Sequence, residues 1–196
     1  MKLKTMELTL ASMFVVLIAV GANITTVAPF LAVGGVPITL QTFFVIMAGL
    51  VLGSRLGAIT TGAYAFFGLV GLPIFARFSG GPGVLVSPTF GFIVSFVFAA
   101  YFAGKIVAKK KTVGTFITAA LVGTAVNYFI GTNWMYFAYK FWAAAPEGFS
   151  YWMAWLWMVP PLPKDIILAV VAGVVAYRLK TTVLAKGRFQ QLKLDA

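Results

Sequence analysis

One acidic residue of this chain lies within an apolar stretch, where burying a charged carboxylate costs free energy. The 196 residues contain four acids, Glu7, Glu147, Asp165 and Asp195, and Asp165 alone falls inside a long apolar stretch, about one helical turn from its start. An ionisable group within a membrane span usually faces a polar cavity or a partner and serves function. Successive helical residues point about 100° apart, so we expect Asp165 to meet a ligand while neighbouring Lys164 extends toward the surface without forming a simple pair with it.

Other polar side chains in apolar surroundings are further candidates for ligand contact. Asn127 lies in the fifth apolar stretch, where its amide could tie two helices together or contact a ligand. Arg77 stands beside Ser79 in an otherwise uncharged loop, where a guanidinium suits a ligand carboxylate, although lipid headgroup contact or plain solvation is the alternative. Gln41 and Asn23 are weaker candidates, because helix capping explains them almost as well.

The residues that most enzymes and metal sites require are missing from the composition. The chain has no cysteine and no histidine, which removes thiolate and imidazole zinc sites, iron–sulfur clusters and histidine bases. No phosphate-loop motif, H-E-x-x-H motif or dinucleotide-binding glycine turn occurs. We therefore predict a protein that is not an enzyme, that uses no metal or cofactor, and that does not itself hydrolyse ATP.

The elements that must position these side chains are membrane helices. Hydrophobic residues make up 61% of the chain, charged residues 10%, and the mean hydropathy is +0.99. A soluble domain of this size carries about 25% charged residues. Six apolar stretches predict an all-α integral membrane protein with six transmembrane helices, the second of them short: 8–27, 38–53, 56–73, 88–104, 113–138 and 160–178.

The basic residues set the expected orientation. Of fifteen Lys and Arg residues, twelve fall on one face of a six-span arrangement: Lys2, Lys4, Arg55, Lys105, Lys109, Lys110, Lys111, Arg178, Lys180, Lys186, Arg188 and Lys193. The positive-inside rule then places both termini in the cytoplasm. The same distribution, between apolar runs instead of in one patch, argues against nucleic acid as a partner despite the net charge of +11.

The predicted loops differ between the two faces. The cytoplasmic turns are short and basic, whereas the outer segments 24–37, 74–87 and 139–159 are rich in glycine, proline and aromatic residues and suggest a lid. We expect the stretch 80–83, Gly-Gly-Pro-Gly, to be non-helical and to lie over a pocket. Domain organisation is expected to be one six-helix substrate-binding membrane domain, 1–178, followed by a short basic cytoplasmic tail, 179–196.

Two sets of side chains are expected to serve structure. Aromatic residues around the last outer loop are typical of an interfacial belt: Trp134, Tyr136, Tyr139, Trp142, Tyr151, Trp152, Trp155 and Trp157. Small residues at helical spacing, as in Gly49-x3-Gly53-x3-Gly57 and Ala169-x3-Gly173, predict close helix packing.

Four segments carry a resemblance to a known family. They are 36–43 (VPITLQTF), 68–75 (GLVGLPIF), the glycine loop 80–92 ending in SPTFGF, and 160–165 (PPLPKD). Together they resemble the BioY family, the biotin-specific S components of energy-coupling factor (ECF) transporters. The likeness runs from about residue 8 to 178. Where the family usually reads G-D-x-x-K, this chain has Lys164-Asp165-Ile166-Ile167-Leu168, so the acid is kept and the lysine moves.

The resemblance implies a function and a set of partners. It implies a six-helix, S-component-like subunit of the bacterial cytoplasmic (inner) membrane that binds biotin and delivers it with an ECF coupling protein and two ATPase subunits. The expected substrate-binding residues are Asp165, Lys164, Asn127, Arg77, Ser79, Phe92, Gln41 and Tyr128. The alternative is a stand-alone secondary transporter or facilitator of biotin or a related small carboxylate.

The resemblance also indicates how the partner would dock. The family docks its coupling protein through small residues of the first helix, which are Ala11, Ser12, Ala19 and Ala22 in this chain. We therefore expect Ala11→Trp to reduce uptake and to spare binding.

Overall fold

The computed structural model describes residues 4–24, 32–33, 36–37 and 39–184, and this part of the chain is mostly helical. It contains α1 (Thr5–Asn23), β1 (Ala32–Val33), β2 (Val36–Pro37), α2 (Gln41–Leu52), α3 (Ser54–Val70), α4 (Phe90–Lys109), α5 (Val113–Phe141), α6 (Tyr151–Leu156) and α7 (Leu162–Arg178). Two short 3₁₀ helices, Ala76–Phe78 and Pro82–Val86, lie between α3 and α4, and a π-helical turn, Leu179–Val183, continues α7.

Six of these helices coincide with the six predicted apolar stretches, to within a few residues at most ends. The sequence did not predict α6, whose six residues are too few for a periodic pattern. The prediction of an all-α chain also missed one antiparallel pair of two-residue strands, in which Val33 pairs with Val36. Its sequence, Val-Gly-Gly-Val, has the two-glycine pattern typical of a hairpin.

Four helices of the described residues are long and apolar enough to cross a membrane: Thr5–Asn23, Phe90–Lys109, Val113–Phe141 and Leu162–Val183. The second helix is short, as predicted, because twelve residues extend only about 18 Å. Nine of its twelve residues are buried, so α2 is covered by its neighbours instead of facing lipid. An apolar helix enclosed in this way is typical of a protein core.

Small residues allow the helices to approach closely, as the spacing predicted. A Cβ added at Gly49 would stand 2.3 Å from the carbonyl oxygen of Ala100, so α2 and α4 are in backbone contact there. A Cβ at Gly173 would stand 2.7 Å from the Cα atom of Ile117, which brings α7 equally close to α5. Backbone approach of this kind is how membrane helices gain packing energy without a hydrophobic driving force.

Consecutive long helices alternate in direction, so their ends gather into two groups. At one end Leu40 N donates to Gly21 O, and Asn23 Nδ2 donates to Ile74 O. At the opposite end a Cβ at Gly104 would meet Ser54 N at 2.3 Å. We call the first group, where α1, α3 and α5 end and α2, α4 and α7 begin, the pocket end. The basic turns at 54–55 and 105–112 lie at the other end.

Two expectations need correction. The small residues of α1 were expected to form the docking face for a partner. Ala11 is 8% exposed and Ala22 is fully buried, so this face packs inside the protein and only its Ser12 is exposed. The glycine stretch is partly helical, because Pro82 begins a 3₁₀ helix after Gly81 takes a φ of 92°. A π-helical turn, Leu179–Val183, follows α7, and residues 185–196 of the expected tail lie outside the described residues.

Candidate functional site

A cavity of about 500 Å³ opens at the pocket end of the bundle. Its walls come from α2, α4, α5, α7 and the segment between α3 and α4. All eight residues predicted for substrate binding line it: Gln41, Arg77, Ser79, Phe92, Asn127, Tyr128, Lys164 and Asp165. Alternation of the helices brings residues 124 positions apart to one place, and their role in binding stays a prediction.

Asp165 is held by two partners on opposite sides of its carboxylate. Lys164 Nζ lies 2.7 Å from Oδ1, and the Tyr128 hydroxyl on α5 donates to Oδ2 at 2.6 Å. Both carboxylate oxygens keep a free lone pair, because an ionised carboxylate accepts about four hydrogen bonds. The position of Asp165 in the first turn of α7 adds the positive end of the helix dipole. The site therefore holds a charged acceptor that is only 8% exposed.

The expectation that Lys164 would not pair with its neighbour was wrong. The backbone directions of the two residues do diverge, but the four-carbon stem of Lys164 curls back far enough to reach the carboxylate. The same Nζ donates to the carbonyl oxygen of Thr39, just before α2. Lys164 thus neutralises Asp165 and ties α7 to the start of α2, with 31% of its side chain exposed.

Asn127 joins α5 to α4. Its Nδ2 donates to Ser95 Oγ at 2.6 Å and to Phe92 O at 3.3 Å, so the interhelical tie that the sequence left open is present. Among the described residues no hydrogen bond reaches Asn127 Oδ1, and the side chain lines the cavity. The amide nitrogen is therefore committed to helix packing, and a ligand contact through Oδ1 stays a prediction.

Gln41 rests on a tyrosine that the sequence analysis did not select. Gln41 Nε2 donates to the hydroxyl of Tyr64 at 2.7 Å, and that hydroxyl donates to Ile74 O at 2.9 Å. Thr39 Oγ1 donates to Gln41 Oε1 at 3.3 Å. Tyr64 is completely buried below the cavity. The sequence signal that could have identified Tyr64 is a tyrosine within an apolar stretch, because a buried phenol hydroxyl needs a polar partner.

Arg77 and Ser79 belong to the irregular segment that follows α3. Arg77 is exposed and has a φ of 61°, in the left-handed region, while Ser79 Oγ donates to Ala76 O at 2.9 Å. Asn23, expected as a weak candidate, lies outside the cavity lining and anchors this segment, because its Oδ1 accepts from Phe78 N at 2.7 Å. In the described part of the chain no acid lies within ion-pairing distance of Arg77.

The aromatic residues divide between the protein interior and its surface. The indole of Trp134 donates to Ser87 O, and that of Trp142 donates to Val86 O, so both fasten the segment that borders the cavity. Tyr139 lines the cavity and packs edge-on against Trp157 at 5.9 Å. Trp152 is 71% exposed, in keeping with the expected belt. The belt interpretation therefore suits some of these side chains, and others close the pocket end.

A second cavity of about 600 Å³ lies between α5, α6 and α7. Its lining is mainly apolar, with hydroxyl groups from Thr124 and Tyr128 and indole rings from Trp152 and Trp155. The Thr124 hydroxyl donates to Ala120 O and that of Tyr128 to Asp165, so neither donor is free. Ligand sites combine apolar walls with a few convergent polar groups, and of these two cavities the first fits that description better.

The fold and the cavity together define a class: an integral membrane protein with a small cavity at one end of a helical bundle. In the described residues no group of three acidic side chains could hold a metal ion. The chain belongs to the BioY family, whose model matches residues 1–185.

Curated relatives support this assignment, and a solved structure shares the fold. The chain is 44% identical over 177 residues to BioYB of Bacillus subtilis (strain 168), covering 89% of this chain and 88% of that one. It is 34% identical over 175 residues to the biotin transporter BioY of Thermotoga maritima, covering 89% and 95%. The fold matches the crystal structure of an S component for biotin from an ECF-type ABC transporter, with a TM-score of 0.77, 22% identity and coverage of 97% and 99%. These relatives are transport proteins and not enzymes.

Proposed function

We propose that this chain binds biotin at the cavity of the pocket end and mediates its uptake. The observation that carries the proposal is the buried Asp165 carboxylate, which keeps acceptor capacity at a cavity whose walls combine polar and apolar side chains. Biotin needs acceptors for its ureido N–H groups, an apolar sleeve for its thiophane ring and valeryl chain, and a cation or donors for its carboxylate. The acceptor side of the cavity would hold the ureido ring.

Arg77 is the cation proposed for the carboxylate of biotin. Lys164, the other cation at the cavity, already pairs with Asp165 and donates to Thr39. Arg77 has no acidic partner among the described residues and lies in the exposed segment at the cavity mouth. A guanidinium there offers a carboxylate two parallel hydrogen bonds.

The proposed topology has six crossings with both termini in the cytoplasm of a bacterial inner membrane. It is supported by the alternating helix directions and by the basic turns at the end opposite the cavity. The cavity would then face the outside. Residues 1–178 would form the membrane domain and 179–196 the basic tail.

Energy would come from an ECF coupling protein and two ATPase subunits. The paired state of Asp165 supports this over ion-coupled transport, because an acid bonded to both Lys164 and Tyr128 is poorly placed to carry a proton or sodium ion. The coupling protein would dock on the exposed face of α1, which includes Ser12. Ser12→Trp should lower uptake in cells that contain the partners and leave biotin binding unchanged. Unchanged uptake would favour a stand-alone carrier.

Titration of the purified protein with biotin tests the proposed function. We expect one biotin per chain, bound without ATP or an ion gradient, with a rise in melting temperature. The matched control is Glu147→Gln, which removes an exposed acid between α5 and α6 and should bind as the unsubstituted chain does. Absence of both heat and thermal shift would refute biotin binding.

A further inference from the structure

Tyr64 lies directly behind the wall of the cavity without lining it. Its ring is fully buried and packs against Phe75, at 5.4 Å between ring centroids, and against Phe96, at 6.4 Å. Both phenylalanines line the cavity. The hydroxyl of Tyr64 meets Gln41 and Ile74, and Gln41 lines the cavity too. Tyr64 therefore contacts residues that line the cavity but would not itself touch a bound ligand.

The hydrogen bonds among Tyr64, Gln41 and Ile74 fix the orientation of the Gln41 amide. Ile74 contributes a carbonyl oxygen, which can only accept, so the single proton of the Tyr64 hydroxyl must go to it. The phenol oxygen then has only lone pairs left for Gln41. The group of Gln41 that faces Tyr64 at 2.7 Å must accordingly be the NH₂ group, and the carbonyl oxygen Oε1 must point the other way.

We infer that Tyr64 is a positioning residue that determines specificity, by holding Gln41 Oε1 as a hydrogen-bond acceptor for ligand N–H groups. This inference rests on the proposed function. Oε1 accepts from Thr39 Oγ1 at 3.3 Å and keeps a second lone pair. Together with Asp165 and the unbonded Asn127 Oδ1, it makes the cavity rich in acceptors. A reversed amide would present an NH₂ group and favour ligands that carry acceptors instead.

Removing the Tyr64 hydroxyl tests the inference while the ring stays in place. In Tyr64→Phe the Gln41 amide loses the partner that orients it, and biotin affinity should fall about 3- to 10-fold, the value of one hydrogen bond. Tyr101→Phe is the matched control, because the Tyr101 hydroxyl on α4 contacts only Lys105 in the hydrogen bonds of the described residues. Tyr101→Phe should bind biotin with the same affinity as the unsubstituted chain.

A double-substitution cycle shows whether Tyr64 acts through Gln41. Gln41→Met removes the amide, and adding Tyr64→Phe to it should cause no further loss of affinity if the inference is right. A purely structural role would instead lower affinity by the same factor in both backgrounds and overturn the inference. Should Tyr64→Phe fail to fold, Gln41→Met alone decides, because biotin binding as tight as in the unsubstituted chain would overturn the inference.

The result for the unsubstituted chain separates this inference from the proposed function. If that chain does not bind biotin, the proposed function fails and the inference falls with it. If it binds biotin and Tyr64→Phe binds equally well, only the inference is overturned.

Discussion

Asp165→Asn should separate ligand binding from folding at the cavity. The carboxylate accepts from Tyr128 through Oδ2 and pairs with Lys164 through Oδ1, and each oxygen retains a lone pair for a ligand N–H group. The variant keeps one carbonyl oxygen for Tyr128 but turns an NH₂ group toward Lys164 or the ligand. It therefore removes a charged acceptor while nearly preserving the volume of the side chain.

The magnitude follows from the two kinds of contact that are lost. A charge-assisted hydrogen bond to biotin is worth about 1.5–3 kcal/mol, so affinity should fall about 10- to 150-fold. Stability should fall less, by about 1 kcal/mol, because 31% of the Lys164 side chain is exposed and water can solvate the ammonium left behind. A fully buried pair would instead cost about 3–5 kcal/mol when broken.

Calorimetric titration with biotin and thermal melting in the same detergent measure the two effects. Adding Lys164→Met to Asp165→Asn removes the unpaired ammonium together with its hydrogen bond to Thr39 O, so the double variant should not recover affinity. The control, Glu147→Gln, should change neither quantity, because Glu147 is exposed. An Asp165→Asn protein that melts early yet binds biotin with unchanged affinity would refute the ligand role and make the carboxylate purely structural.

Three further substitution experiments test the packing, the topology and the carboxylate contact. Gly49→Ala should lower stability by about 1–3 kcal/mol, since its Cβ would meet a backbone oxygen at 2.3 Å, whereas Gly62→Ala, whose nearest neighbour is at 4.0 Å, should melt no earlier than the unsubstituted chain. With no native cysteine, Lys110→Cys should resist an impermeant thiol reagent in intact cells and Glu147→Cys should react; the opposite pattern would invert the topology. Arg77→Asn, which tolerates the φ of 61°, should weaken biotin about 2- to 5-fold and leave uncharged biotin amide unaffected; equal losses for both ligands would exclude Arg77 as the carboxylate contact.

The helices were predictable because apolar runs and their breaks are local properties of the sequence. Gly53 directly follows the last residue of α2, and the small-residue spacing at Gly49 and Gly173 correctly indicated close packing. Which residues of α1 are buried and which are exposed is not a local property of the sequence. Ala11 suits an exposed docking face as well as a tight interior contact, and only the neighbouring helices decide that it is buried.

The residues of the cavity were predictable as polar side chains in apolar surroundings, but their hydrogen bonds were not. Lys164 reaches back to Asp165 through a flexible stem, which helical geometry alone does not reveal. Tyr64 is missing from the predicted set because its partners, Gln41 and Ile74, come from different segments of the chain. Pairings between distant segments depend on how the helices pack, and no spacing within one helix encodes them.

A structure of the chain determined with biotin bound tests the central claim most directly. The account predicts biotin in the cavity at the pocket end, with ureido N–H groups within hydrogen-bond distance of Asp165 and the Gln41 carbonyl oxygen, and with the carboxylate near Arg77. Biotin bound in the apolar cavity between α5 and α7, or with its carboxylate against Lys164, would contradict that account.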